Sequence, residues 1–428
     1  MKLKLVVASM SVLGLLSCPA FAADAPKHKK HHHHHKVMHH MVTHDYKDMG
    51  ALPVQPAPIM NDWYNRITLD GMINFDTAWG NRSKGYAGEN VRRVSLNNAQ
   101  INLNANVNDW TKAFIAIAFD DTSGVLSGAS TAANPLGVTT RPKPGKYENI
   151  KGSEFGANFE QAFFTIGNMD ELPVYVRLGK QFLPFGKYVP HEIVRSMTNV
   201  LSETLRTSAL VGFETRMGLA GSIYAFDNPL TQSSNSHTKT NYGGTISFAM
   251  PSDALGFDVG AGYMYDFTGV QDVGYAVSLY NGTAATTNTY ANRVSAGSLY
   301  GDVNSGPFSL GVRYVTALQH FAAADLPTKG VVPAGISGAK PWAVDVDGMY
   351  KFNCWDRNQN VYLGYQGSQN AVNLYLPKNR YVAGYDVEMW KNTDLGLEFN
   401  HDTDYSVSDG GTNNGSNQLY LRVGVKFG

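Results

Sequence analysis

Apolar and polar side chains alternate strictly in the stretch INLNANVND at residues 101–109. Ile101 and Leu103 fall on one side and Asn102 and Asn104 on the other, because successive side chains of a strand point to opposite faces. Stretches of this kind recur along most of the remaining chain. The pattern predicts a sheet that is apolar on one face and hydrophilic on the other.

Such a sheet belongs either to a soluble sandwich or to an outer-membrane barrel, in which lipid covers the apolar face and the polar face lines the lumen. Charged residues make up only 16% of the chain, against about 25% in soluble domains. After the first 22 residues there is no stretch of 18 or more apolar residues, so no transmembrane helix is expected. Composition therefore favours an all-β transmembrane barrel. The balance of 35 basic and 35 acidic residues gives no sign of a nucleic-acid partner.

The first 22 residues have the parts of a secretory signal peptide. Lys2 and Lys4 precede an apolar stretch that ends in the small-residue site AFA at 20–22. Cleavage after this site is the preferred interpretation. The alternative is a lipoprotein site at LLSC, which would leave Cys18 lipidated. The chain is thus predicted to be exported, with the outer membrane of a Gram-negative cell as its destination.

Residues 23–62 form a separate region rich in histidine, lysine and proline, without apolar periodicity. We expect a disordered periplasmic tail here. Clustered imidazoles bind Zn²⁺, Ni²⁺ or Cu²⁺. The alternative interpretations are a solvated tail without metal or an engineered tag, and no other cofactor is expected. The candidate ligands are His31, His32, His33, His34, His35, His39 and His40.

The remaining residues, 63–428, divide into strands joined alternately by short turns and long polar loops, as in bacterial barrels with short periplasmic turns. Fifteen strands are evident, but this number breaks the alternation between the turns at 167–172 and 251–254. A further strand at about 205–214, with a tight turn at Thr215-Arg216, restores it. We therefore predict 16 antiparallel strands, with both termini in the periplasm.

Aromatic residues support the same arrangement. Two girdles of tryptophan are typical of a barrel in lipid. The last predicted strand alternates up to Phe427, and a terminal strand with an aromatic residue near its end is the usual assembly signal. Barrel assembly machinery is therefore an expected partner besides membrane lipid. The tryptophans at predicted periplasmic ends are Trp63, Trp110, Trp355 and Trp390, and those at outer ends are Trp79 and Trp342.

The polar frame of the strands supplies candidate pore-lining residues of both charges. We expect opposed rows of acids and bases that set a transverse field in a water-filled pore. The simpler alternative is that these residues only hydrate the lumen, which must be polar in any barrel of this kind. The candidates are Arg66, Asp70, Asp76, Arg177, Arg313, Asp345, Asp347, Arg380, Asp386, Glu388, Glu398 and Arg422.

Loops and rims carry no catalytic signature. The chain contains no G-x-S-x-G, H-E-x-x-H or G-x-x-x-x-G-K-[ST] motif, so an enzyme is not predicted.

Lys180 falls in the apolar frame and is expected to pair with Glu160 at the rim, without a functional role. The loop at 121–156 is a candidate to fold inward. Four histidines are expected to be ordinary polar surface of external loops, namely His191, His237, His320 and His401.

The stretch FEQAFFTIGNMDELPVYVRLGKQFLPFGKY at residues 159–188 resembles the TonB-independent siderophore porins of the legiobactin-receptor type, the LbtU family. The likeness consists of a Gln-Ala-Phe strand, an Ile-Gly-Asn turn, a Tyr-Val strand and LGKQFLPFG leading into a loop. It is clearest over about 155–226, and LGKQFLPFG is also similar to a motif of phosphate-selective porins. The histidine tract departs from the pattern. The resemblance implies a 16-stranded outer-membrane barrel with a periplasmic N-terminal segment that takes up an iron–siderophore complex.

The sequence thus predicts an outer-membrane porin or receptor that passes small solutes, and the resemblance implies a ferric siderophore as the solute. A general or anion-preferring porin is one alternative, and a structural or adhesive surface barrel is another. A chain of this length has no room for the roughly 22 strands and plug of an energised transporter.

Overall fold

The computed structural model describes residues 66–81, 90–121, 155–189, 191–233, 239–252, 254–281, 289–328 and 337–428. Sixteen strands form a closed antiparallel barrel in which the first strand pairs with the last. The predicted fold class is therefore confirmed. The barrel strands are β1 (Ile67–Asn81), β2 (Asn90–Asn106), β3 (Thr111–Asp121), β4 (Phe155–Ile166), β5 (Val174–Phe182), β6 (Leu205–Glu214), β7 (Leu219–Asp227), β9 (Thr240–Met250), β10 (Gly256–Met264), β12 (Ala296–Ser305), β13 (Phe308–Ala317), β14 (Trp342–Cys354), β15 (Arg357–Gln369), β16 (Asn379–Trp390), β17 (Thr393–Thr403) and β18 (Gly415–Phe427).

Shorter elements lie in the long loops. Two short strands, β8 (Thr231–Gln232) and β11 (Thr289–Tyr290), pair in parallel outside the barrel sheet. The α-helices are α1 (Met197–Val200) and α2 (Gln271–Asn281). Single 3₁₀ turns are formed by Phe267–Gly269, Val372–Leu374 and Val407–Asp409.

The strand that the alternation required is present as β6, and a tight turn joins it to β7. The backbone N–H of Thr215 donates to the carbonyl of Leu219 at 2.8 Å. Gly218 follows with φ of +89°, and a Cβ there would lie 1.8 Å from the carbonyl oxygen of Ala249. Only glycine fits this position. The short turn therefore depends on a local sequence feature.

In the wall of this barrel, apolar side chains are exposed and charged side chains are buried, which is the reverse of a soluble protein. The apolar side chains of Ile223 and Leu363 are each 69% exposed, whereas Asp345 and Glu398 are 0% exposed. Lipid is the solvent that makes such an outer face stable, because a lysine or arginine at the middle of that face costs about 2–4 kcal/mol. No helix in the described ranges is both long and apolar enough to cross a membrane.

Tryptophans lie at both ends of the strands, as predicted. Trp110 and Trp355 lie in short turns, and Trp390 ends β16 on the same side. Trp342 begins β14 at the long-loop end, and Trp79 lies near the long-loop end of β1. Indole rings prefer the boundary between lipid and water, so these positions mark the two membrane surfaces. Trp63 lies outside the described residues.

An apolar core lies in the long-loop half of the barrel. It joins helix α2 to long-loop residues and to inward-facing residues of the wall. Val273 and Val277 of α2 are fully buried, as are Phe267 and the wall residue Met264. Burying one such side chain stabilises the fold by about 1.5–3 kcal/mol. Several long loops are therefore packed structure, held to each other and to the wall.

The register of the β4–β5 hairpin differs from the prediction. Lys180 lies opposite Ala162, and its amino group donates to the carbonyl of Phe159 at 3.0 Å. The pairs Ala162–Lys180 and Ile166–Val176 are centred on Glu171, whereas a pair of Glu160 with Lys180 requires a hairpin centred on Asp170. A shift of the centre by one residue moves the residue opposite Lys180 by two positions. The expected Lys180–Glu160 rim pair is therefore wrong. The loop expected to fold inward falls on residues 122–154, outside the described residues.

Candidate functional site: a polar lumen crossed by one loop

The asparagine row of β2 faces the lumen and forms a hydrogen-bonded ladder with β1. Asn102 and Asn104 donate their amide groups to the two carboxylate oxygens of Asp70, at 2.7 and 3.2 Å. Gln100 donates to Asn102 at 2.7 Å, and Asn98 donates to Gln100 at 3.3 Å. The alternation of INLNANVND therefore produces one wall of amides that form hydrogen bonds with each other and with Asp70.

Ion pairs occupy the wall from β12 to β18 and its junction with β1. Arg313 reaches Asp302 at 2.6 Å and also pairs with Asp347. The remaining pairs on this wall join Arg380 to Asp402 at 2.7 Å, Arg422 to Asp76 at 2.8 Å and Lys426 to Asp394 at 2.7 Å. Acids and bases are thus paired between adjacent strands at these positions, and a transverse field set by opposed rows stays a prediction. Cross-strand neighbours are close enough for direct pairing, so the charges cancel locally.

The segment between β5 and β6 folds into the barrel. This segment, residues 183–204, is called the lumenal loop below and is described except for residue 190. Its base is closed by a backbone hydrogen bond of 2.8 Å from Leu183 to Thr204. Lys187 then reaches Asp258 at 2.5 Å and Asp302 at 2.8 Å on β10 and β12. The prediction that this segment is an external loop is therefore wrong.

The far part of the lumenal loop is held by groups of the opposite wall. The backbone N–H groups of Ile193 and Val194 donate to the carboxylate of Glu398, the second at 3.3 Å. Arg422 donates to the carbonyl of Ile193 at 3.2 Å, and Arg380 to the carbonyl of Arg195 at 3.4 Å. Irregular backbone inside a barrel needs such partners, because unpaired N–H and C=O groups are costly away from water.

The loop returns to β6 through helix α1 and an ion pair with helix α2. The backbone N–H of Met197 donates to Gln366 at 3.1 Å, and the hydroxyl of Ser196 caps the helix by accepting from Asn199 at 3.2 Å. Arg195 pairs with Asp272 of α2 at 2.9 Å. The lumenal loop thus links the wall of the barrel to the apolar core.

His191 and Glu192 lie at the centre of the crossing. The Nε2 atom of His191 is 3.3 Å from Asp347, and its ring packs edge-on against Tyr362 at 4.7 Å between centroids. Glu192 accepts a hydrogen bond of 2.7 Å from Gln366. His191 is buried, so the expectation that it is ordinary loop surface is wrong. Glu192, next to it, is half-buried.

Burial shifts the titration of both residues. It lowers the pKa of His191 to about 4, although the charge of Asp347 opposes the shift. It raises the pKa of Glu192 well above the usual value, and the neighbouring carboxylates Asp345 and Glu398 add to this. At neutral pH the His191 imidazole is therefore uncharged.

Two inward-facing glycines make room for the loop. A Cβ on Gly364 would lie 3.0 Å from the carboxylate of Glu192. A Cβ on Gly396 would lie 3.2 Å from the side chain of Ile193 and 2.7 Å from Asp386. The wall thus leaves space for the loop at Gly364 and Gly396. The alternation of apolar and polar residues does not predict these positions.

The structure places most of the predicted pore-lining residues on the inner wall. Arg177 lies on β5, where its Nε donates to Thr165 at 3.3 Å. Two candidates lie at the short-turn end instead: Arg66 donates to the carbonyl of Val107, and Glu388 accepts from Asn358 at 2.8 Å. That these residues line a conducting pore stays a prediction.

Sequence reasoning missed the residues of the lumenal loop. The signal for them was the stretch FGKYVPHEIVRSM, which mixes large apolar residues with charges of both signs. Large apolar side chains are uncommon in a fully solvated loop because they are usually buried. Here Phe185 and Met197 are both 0% exposed. The mixture was therefore evidence for a loop that packs inside.

The histidines fall in three places. His320 is exposed at the long-loop end, as predicted, whereas His401 is half-buried and hydrogen-bonded to Asn417 at 2.8 Å. His237 and the histidine tract lie outside the described residues, so metal binding by the tract stays a prediction. Within the ranges that the structure covers, no group of three or more His, Cys, Asp or Glu side chains could hold a metal ion.

Solved porins share this architecture. The anion-selective porin from Comamonas acidovorans matches with a TM-score of 0.51 and 12% identity, over 84% of this chain and 99% of that one. OmpF of Salmonella typhi, in a complex with daunomycin, matches with 0.51 and 14%, over 86% and 99%. The outer-membrane channel DcaP of Acinetobacter baumannii gives 0.50 and 12%, over 84% and 97%. The chain therefore shares the closed β-barrel fold of these porins.

Among curated proteins, the chain is similar to UPF0422 proteins. One from Legionella pneumophila (strain Lens) is 27% identical over 323 residues, which are 74% of this chain and 55% of that protein. One from Coxiella burnetii (strain RSA 493 / Nine Mile phase I) is 23% identical over 373 residues, 86% of this chain and 70% of that protein. The chain thus spans about half the length of the Legionella relatives it matches. No family model matches it.

Proposed function

We propose that this protein is an outer-membrane channel through which small water-soluble solutes pass, and that the lumenal loop sets the width of the passage. The observation that carries this proposal is a polar segment docked across the inside of a closed barrel, with its backbone bound to Glu398 and Arg422. A polar lining is what a water-filled path requires. No energised plug and no catalytic reaction is part of the proposal.

The pairing of charges argues for weak ion selectivity. Arg313, Arg380 and Arg422 each have a carboxylate partner, so these three cations add little net field to the lumen. An anion-preferring porin would need cations without such partners. We therefore favour a channel with a permeability ratio for K⁺ and Cl⁻ close to one. The reversal potential under a KCl gradient measures this ratio.

Planar-bilayer recording of the purified protein tests the channel. Discrete conductance steps are expected from the wild type. The variant Glu398→Ala removes the acceptor for the loop backbone and is expected to give larger or noisier steps. Glu214→Ala is the matched control, since Glu214 is exposed at the turn end of β6. A wild type that is correctly folded but silent in the bilayer would overturn the proposal.

A ferric siderophore is the solute we propose. The support is the sequence resemblance at 159–188, a stretch that forms β4, its turn, β5 and the entry into the lumenal loop. A deletion strain complemented with the wild type is expected to take up a ⁵⁵Fe-labelled siderophore, and the Glu398→Ala variant to do so at a changed rate. If complementation restores no uptake while the protein conducts in bilayers, the siderophore is excluded and the channel remains.

We propose that the long loops face the outside of the cell and the short turns the periplasm, the usual arrangement of bacterial barrels. Assembly machinery is the partner expected to insert such a barrel. Cysteines introduced at Lys378 and Arg216, exposed at opposite ends, test the orientation in whole cells once the native Cys354 is replaced by serine. A maleimide that does not cross membranes should label Lys378→Cys and leave Arg216→Cys unlabelled. The opposite pattern would contradict the proposal.

A surface structural or adhesive protein is the second candidate. The observation that favours it is the apolar core of the long-loop end, which packs Phe321, Leu326 and Leu374 into a rigid platform. Bilayers that stay silent, together with cell attachment that depends on the loops, would support this candidate over the channel.

A further inference from the structure

A small cavity of about 190 Å³ lies at the long-loop rim, between the buried Asp266 and the exposed Tyr242. Tyr242 of β9 forms part of it and belongs to the outward frame of that strand, together with Ile246. Both side chains are largely exposed, at 46% and 55%. On β10, Tyr263 is likewise exposed on the outer face. The cavity therefore opens at the level where aromatic residues meet the lipid headgroups.

A three-layer stack forms one side of the cavity. The rings of Tyr242 and Tyr265 are parallel within 17° and 4.2 Å apart between centroids. The guanidinium carbon of Arg293 lies 3.9 Å from the centroid of Tyr265. Stacking on an aromatic face holds a guanidinium in place and leaves its N–H groups pointing outward in its own plane.

Two cations of the cavity, Arg293 and Lys239, are not engaged in a salt bridge within the described part of the chain, although the charge of Asp266 acts on Arg293. Neither Arg293 nor Lys239 forms a salt bridge or a side-chain hydrogen bond there. The carboxylate of Asp266 lies in the same cavity, but it already accepts hydrogen bonds from Asn228 at 2.9 Å, from the hydroxyl of Thr268 at 2.8 Å and from Tyr290. Asp266 therefore joins the loops to each other, and the two cations remain available to an anion.

We propose that this cavity binds the phosphate group of an anionic lipid headgroup in the outer leaflet. Arg293 and Lys239 hold the phosphate oxygens, and the exposed face of Tyr242 packs against the adjoining part of the headgroup. The planar donor fork of arginine suits a phosphate. A volume of about 190 Å³ equals roughly six water molecules, enough for a phosphate and part of a headgroup. The inference rests on the orientation proposed above, but it concerns the outer wall and is independent of solute passage.

Native mass spectrometry of the full chain in a non-ionic detergent tests the site. The probes are a diphosphorylated glucosamine lipid and the same lipid without its phosphates. The wild type is expected to bind the phosphorylated lipid more tightly. In the double variant Lys239→Gln/Arg293→Gln its affinity is expected to fall by about tenfold, the effect of losing roughly 1.4 kcal/mol of binding energy. Equal binding of the two lipids, or unchanged binding by the double variant, would overturn the proposal.

The control variant is Lys378→Gln/Arg216→Gln, which removes an exposed lysine and an exposed arginine elsewhere on the two rims. It is expected to bind the phosphorylated lipid like the wild type. Inorganic phosphate at millimolar concentration is the competitor: a bound lipid that it displaces would show a site for a soluble anion and refute the lipid assignment. Migration of the closed barrel in unheated gels confirms folding of every variant. Bilayer conductance of Lys239→Gln/Arg293→Gln should equal that of the wild type, so the two proposals fail separately.

Discussion

His191 and Glu192 are neighbours in the lumenal loop. Their protonation has opposite effects on the stability of the docked loop. The pKa of His191 falls from 6.5 to about 4 on burial. Between these values the released imidazole binds a proton and the docked one does not, so docking loses stability as the pH falls. The pKa of Glu192 is raised. Protonation of the Glu192 carboxylate at low pH therefore stabilises the docked loop.

The variant Glu192→Gln separates these two effects. Its stability is expected to fall between pH 6.5 and 4, because only the His191 contribution remains from the pair, and the loss approaches about 3 kcal/mol near pH 4. The double variant His191→Gln/Glu192→Gln is the control and should show a flatter profile. The measurement is the free energy of unfolding by urea in detergent micelles across this range. Equal slopes for the two variants would show that His191 does not titrate as stated.

Arg313 pairs with two carboxylates of the wall. It lies between Asp302 and Asp347 and is only 3% exposed. Replacing it with glutamine leaves the buried Asp347 without its cation and Asp302 with Lys187 alone, and we expect a loss of about 3–5 kcal/mol of unfolding free energy. Arg216→Gln, in an exposed turn, is expected to change stability by less than about 0.5 kcal/mol. Urea titration of both variants measures the difference, and a small effect at Arg313 would contradict the pairing.

At the scale of elements, docking of the lumenal loop depends on a gap in the wall of β15. The variant Gly364→Leu fills this gap, because even a Cβ there comes within 3.0 Å of Glu192. We expect the loop to undock and the single-channel conductance to rise. Gly348→Leu is the matched control on β14: Gly348 is in the outward frame, and its Cβ would meet nothing closer than 3.9 Å. An unchanged conductance in Gly364→Leu would show that the loop does not set the width of the passage.

Elements differed in how far the sequence could predict them. Strand β6 was found because short turns and long loops must alternate around a barrel, and its bounds match the prediction at Leu205 and Glu214. The lumenal loop was assigned to the outside because its polar residues resemble those of surface loops. Only its contacts with the opposite wall distinguish the two positions, and these join residues about two hundred positions apart in the chain.

At the scale of the whole molecule, closure of the barrel depends on pairing between β1 and β18. This pairing runs from Gly71 opposite Phe427 to Asn81 opposite Asn417. Removing residues 415–428 leaves two unpaired strand edges, which lipid cannot satisfy. We expect the truncated chain to lose the fast, unheated migration typical of a closed barrel. Val423→Leu, which keeps the lipid-facing frame, should migrate like the wild type, and a truncated chain that still does so would refute closure by β18.

By itself the sequence determined the strands, their number and the side of each that meets lipid. These follow from the two-residue period of side chains in a strand and from the residues preferred in turns, both of which are local features. The amide row of INLNANVND is an example of this period. Only the tertiary structure decided which charges pair, in which register β4 meets β5 and where the lumenal loop lies. These depend on strands that meet around a closed ring, as Asp76 meets Arg422 across 346 positions. No local pattern carries such contacts, because they arise only once the ring has closed.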